Sequence, residues 1–155
     1  MTRPPVTGPV EVRVKHRLLG DGRIWVDRVR TKVLRDSGGW YQVLSPTRAE
    51  DARVLYRPVQ DLVVIEQSGG FLKIPFKDGE ASFGWQDRVY RISSMAFGKI
   101  RIDEGTRDVA QGVVTTSGIR FHLFRSDLLP IVRALAWGLT LRSEELARDA
   151  SRTSG

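Results

Sequence analysis

The sequence predicts a mainly β protein, an antiparallel barrel wrapped around one buried C-terminal helix. Two observations carry that expectation. Residues 128–141, LLPIVRALAWGLTL, are apolar or glycine on every side of a helical wheel apart from Arg133 and Thr140. A helix that is hydrophobic all round is buried rather than laid on a surface, and this stretch is too short to cross a bilayer, which takes about 20 residues. Ahead of it, short apolar or alternating runs recur with Gly, Asp and Ser between them. That is the spacing of an all-β barrel or sandwich whose strands pair in sequence. A chain of 155 residues is the size of one domain.

Residues 1–9 contain Pro4, Pro5 and Pro9 without periodicity and read as a loose arm before a single domain over 10–145. Residues 10–18 alternate, with Val10, Val12, Val14 and Leu18 on one face and Glu11, Arg13, Lys15 and Arg17 on the other, which marks a half-buried strand. Asp21-Gly22 follows, and an Asp-Gly pair between strands signals a hairpin because its tight turn needs φ > 0. Residues 36–39 form the next turn and 40–44 the next strand. Residues 45–57 lack alternation and include Pro46, so they read as a turn with one short helical segment.

The β-branched run over 59–67 reads as a well-buried strand. Turns at 68–70 and at Asp78-Gly79 flank a strand over 71–76. Short strands follow over 81–85, 88–93 and 98–102, then a charged turn over 103–108, and strands over 109–116 and 119–124 joined by Ser117-Gly118. Ser126 or Asp127 caps a helix over about 127–146, with Pro130 tolerated in its first turn. Residues 147–155 read as a polar tail. A cation inside the barrel, Arg133, needs a carboxylate or carbonyl partner.

Charge is unevenly spread. The net charge is +7, and residues 1–35 hold nine lysines and arginines against Glu11, Asp21 and Asp27, which leaves the remainder nearly balanced. A basic region of this kind points to a polyanionic partner. If Asp21 and Gly22 are the two loop residues, Leu18 faces Trp25, His16 faces Asp27, Val14 faces Val29 and Val10 faces Val33. On the other side Glu11 faces Lys32, Arg13 faces Arg30, Lys15 faces Arg28 and Arg17 faces Val26. This register gathers Arg13, Lys15, Arg17, Arg28, Arg30 and Lys32 on one outer face. Like charges directly opposed cost stability, so the face reads as kept for an anionic ligand.

The strings FGWQDRVYRI (83–92) and GKIRIDEGTRDVAQG (98–112), followed by the hydrophobic helix, resemble the tubby-like superfamily, which includes the LURP-one-related proteins and the phospholipid scramblases. The resemblance covers residues 71–141 and extends to 10–44 by strand pattern. It implies a closed antiparallel barrel of about twelve strands threaded by a hydrophobic helix. It also implies an association with membranes, since tubby proteins are phosphoinositide-binding adaptors and scramblases act on bilayers. No lipid-binding residue of the family matches a position here, and none is carried over.

Enzyme chemistry has no constellation in this sequence. Cysteine is absent, and His16 and His122 belong to no metal-ligand spacing. There is no nucleophile elbow and no phosphate-cradling loop with its lysine and helix. His16 beside Asp27 is the one acid–base pairing the register offers, and it reads as a structural hydrogen bond. The aromatic residues Trp25, Trp40, Tyr41, Trp85 and Tyr90 read as core. No catalytic residue, metal site or cofactor is therefore expected.

The leading expectation is a non-enzymatic module that binds anionic membrane headgroups through the basic hairpin face. One alternative is nucleic-acid binding by the same cations. Another is a structural or assembly subunit that docks on another protein through Trp40, Tyr41 and the 49–56 segment. Without an apolar leader in the first residues, the expected location is cytoplasmic, peripheral at the membrane if the basic face engages it.

Overall fold

Alternation of Val10, Val12 and Val14 with Glu11, Arg13 and Lys15 makes β1 (Val10–His16), whose valines are buried and whose charged residues face out. The structure, a computed structural model, describes residues 10–16, 22–115 and 118–153. The remaining strands are β2 (Gly22–Val26), β3 (Val29–Arg35), β4 (Tyr41–Val43), β5 (Ala52–Arg57), β6 (Leu62–Gln67), β7 (Gly70–Pro75), β8 (Glu80–Trp85), β9 (Arg88–Ser94), β10 (Lys99–Glu104), β11 (Arg107–Thr115) and β12 (Gly118–Leu123). A 3-10 turn at Ser126–Leu128 leads into α1 (Leu129–Thr153). All twelve strands lie in one antiparallel sheet in which β1 pairs with β12. The barrel is nearly closed: the ladder stops between β7 and β8, which are joined at one end by the Lys77–Glu80 bridge.

The barrel's contents are α1 and the inward residues of each strand. Leu128, Ile131, Val132, Ala134, Leu135, Ala136, Trp137 and Leu139 are buried against Val12, Val14, Ile24, Val33, Val54, Val63, Ile65 and Phe121, among others. Burying a large aliphatic side chain contributes about 1.5–3 kcal/mol, so the enclosed helix is a principal source of stability. Trp137 is the largest fully buried side chain and meets Tyr41 edge-on, with ring centroids 5.2 Å apart. Small residues on the helix let the strands come close. A Cβ at Gly138 would lie 2.6 Å from Val63 Cγ1. Arg133, 3% exposed, finds Glu50 Oε2 at 3.4 Å from its Nη1, and burial draws its pKa down from the ordinary arginine value.

The barrel and its buried C-terminal helix match the expected fold, and four local expectations are corrected. Gly22 is not a turn residue. It lies in β2 opposite His16, because a side chain there would collide with the Trp137 indole. The stretch expected to be one strand after Asp21-Gly22 is two, broken at Asp27-Arg28, so Val26 pairs with Val29 and Val12 with Val26. Residues 52–57 form β5 rather than helix or turn. The helix runs on to Thr153 instead of giving way to a tail, with Glu145–Arg148 and Asp149–Arg152 pairs along its exposed end.

Candidate anion-binding face

The outer wall of β1–β3 follows from strand parity: with Val12, Val14, Ile24 and Val33 turned in, Arg13, Lys15, Arg23, Arg30 and Lys32 turn out. Register sets two rows across it. Arg13, Trp25 and Arg30 stand opposite one another, as do Lys15, Arg23 and Lys32. Closure of the barrel adds Arg120 of β12 beside Arg13. The first row then continues through Val113 of β11 to Lys99 of β10. Trp25 lies near the middle of the patch, half-buried, with the Arg13 guanidinium 5.0 Å and the Lys15 ammonium 6.0 Å from its ring centroid. A cation held over an indole face gains about 0.5–1 kcal/mol at an exposed site, which orders the two side chains in place.

Among the described residues these cations have few counter-charges. The Arg120–Glu11 contact, at 4.0 Å, is the patch's one carboxylate pairing among the described residues. Arg13 Nε and Arg23 Nε are buried without a hydrogen-bond partner. Most arginines elsewhere are paired, among them Arg53 with Glu66, Arg88 and Arg125 with Glu104, Arg101 with Asp103 and Arg142 with Asp61. Like charges stand directly opposed at Lys15–Arg23 and Arg23–Lys32, an arrangement that costs roughly 0.2–1 kcal/mol per pair.

Of the six cations expected on this face, Arg13, Lys15, Arg30 and Lys32 are brought together on it. Arg28 is not: it occupies the β2–β3 turn, beyond the end of the wall. Arg17 lies outside the described residues. Arg23, Trp25 and Arg120 were missed. The first two move onto the face once Asp27-Arg28 is recognised as a turn, and Arg120 arrives only through the pairing of β1 with β12. Trp25 therefore belongs to the outer wall and not to the core. His16 and Asp27 are not neighbours, since His16 opposes Gly22 at one end of the hairpin while Asp27 Oδ1 accepts the Glu11 N–H at the other. His122 is exposed on the outer wall opposite Glu11. Tyr41, expected as a protein contact, turns inward onto Trp137. Trp40 remains outside, beneath the Arg53 guanidinium at 4.6 Å.

No protein-family model, curated protein or solved structure matches the chain. Among the described residues no three His, Asp or Glu side chains gather as a metal site, and no helix is long and apolar enough to cross a membrane.

Proposed function

We propose that the protein is a non-enzymatic module that binds an anionic membrane surface through the outer wall of β1–β3 and β12. The observation that carries the reading is the uncompensated cation cluster around Trp25, in a molecule that pairs most of its other arginines. Each cation brought to an anionic leaflet contributes about 1 kcal/mol, so Arg13, Lys15, Arg23, Arg30, Lys32 and Arg120 acting together suffice for reversible attachment. An indole at the centre suits the headgroup region, where amphipathic rings settle. The face is the convex outside of a barrel, which meets a broad surface more readily than it encloses a strand of nucleic acid. The likeness of residues 83–92 and 98–112 to the tubby-like superfamily favours lipid in the same way.

The test is co-sedimentation with anionic and with neutral vesicles at low and at high salt. The wild-type protein is expected to pellet with anionic vesicles alone and to be released by salt, because screening shortens the reach of exposed charges. Arg30→Glu/Lys32→Glu, both exposed positions, is expected to weaken attachment by at least about tenfold. Failure of the wild type to bind anionic vesicles at low salt, or undiminished binding by the double variant, rejects the reading.

A further inference from the structure

We propose that the outer wall of β5–β7 is a docking groove for an acidic segment of another protein, one that carries an apolar anchor beside a carboxylate. The inference is independent of the membrane reading, because it uses none of the residues of that face, and β4 lies between β3 and β5 in the sheet order.

Strand parity turns Leu55, Arg57, Leu62, Val64, Phe71 and Lys73 away from α1. Outward residues of a barrel are ordinarily wet, yet Leu55 is 7% and Val64 5% exposed. The 3-10 turn Ser37–Gly39 lies over Leu55, where a Cβ at Gly39 would stand 3.3 Å from Leu55 Cδ1, and Trp40 lines one groove with Val64. Asp36 fixes that turn, accepting the Ser37 N–H at its carboxylate and donating its own N–H to the Trp40 carbonyl. Arg53 stacks on the indole and reaches both Asp36 and Glu66. Trp40 is thus a pre-set wall. Phe71, 65% exposed, stands across from it, and an open groove of about 600 Å³ runs between them over Leu62 and Val64.

Charge identifies the occupant. Arg57 and Lys73 line the groove without a carboxylate partner among the described residues, although Arg53, further along β5, has two. The vacant counter-charge calls for an anionic visitor. A second copy of a chain with net charge +7 is disfavoured. Small molecules are held where most of their surface can be buried, and this groove is open along its length. An aromatic pair with arginine alongside is the composition of residues that dominate protein–protein binding.

The experiment is selection of a random linear peptide library on the full-length protein. Enriched peptides are expected to combine an aromatic or aliphatic residue with adjacent Asp or Glu. They are expected to weaken by roughly tenfold or more on Phe71→Ser and on Lys73→Glu, while both variants keep the wild-type melting temperature and still sediment with anionic vesicles. The proposal is overturned if no peptide is enriched, if the enriched peptides lack acids, or if the variants bind them unchanged. Binding of oleate that Phe71→Ser abolishes, without any selected peptide, would also overturn it by assigning the groove to a lipid anion.

Discussion

Gly22 illustrates how one atom redirects a hairpin. Read locally, Asp21-Gly22 is a turn. In the folded chain Gly22 is a strand residue whose missing Cβ leaves room for Trp137. Gly22→Ala is therefore expected to destabilise by about 1–3 kcal/mol, the usual cost of overpacking a filled core, read as a lower denaturant midpoint. Trp137→Phe in the same background should restore part of the loss, since it withdraws the clashing ring. An unchanged midpoint for Gly22→Ala would contradict the packing described. The turn that does follow, Asp27-Arg28, has no glycine; Asp27 itself takes the left-handed conformation at φ 53°, as Asp and Asn can at modest cost. Gln86 and Asp87 do the same between β8 and β9. Turns made this way carry little local signal, which is why Trp25 reads as core and Arg23 goes unassigned, while the alternating Arg13 and Lys15 are legible.

The elements divide by how much of their environment is local. The buried run of α1 was readable because every one of its sides meets apolar partners. β5 was not, because its alternation is erased on the outside: Leu55 lies under the 3-10 turn, where a Cβ at Gly39 would stand 3.3 Å from Leu55 Cδ1, a contact no strand pattern encodes. Where α1 leaves the barrel, Arg142 donates to both Asp61 oxygens at 2.8 and 3.0 Å, and its guanidinium lies 4.4 Å from the Phe76 ring centroid. Burial alone would raise the Asp61 carboxyl, but Arg142 and the Tyr56 hydroxyl, donating at 2.7 Å, hold it below the ordinary carboxylate range. A carboxyl depressed in the folded state contributes stability that is complete above its unfolded value of about 3.9 and is lost as pH falls through the folded one. Asp61→Asn should thus cost about 1–3 kcal/mol at neutral pH. The gap to wild type should close as pH drops below about 4; a gap that stays constant down to pH 2 would show that the carboxylate charge contributes nothing.

Closure belongs to the whole molecule and is invisible to any window of sequence. The barrel is completed by β1 against β12, and that pairing also brings Arg120 to Arg13 and extends the basic row to Lys99. The sheet's two ends are instead β7 and β8, neighbours in sequence that separate beyond the Lys77–Glu80 bridge. Unpaired strand edges open at lower free energy than strands bonded on both sides. Amide hydrogen exchange should accordingly divide the barrel along this line. The amides of β7 and β8 that do not bond to β6 or β9 should exchange first, and those of β1 and β12, although β1 begins the described chain, should be among the last. The enclosed face of α1, from Ile131 to Leu139, should share the slow rate of β1 and β12, because its side chains cannot leave without breaking a ladder. Equal protection of β7, β8 and β12 would mean that the seam is zipped in solution; early exchange of β1 and β12 would place the barrel's weak line at their pairing, and with it the integrity of the basic face.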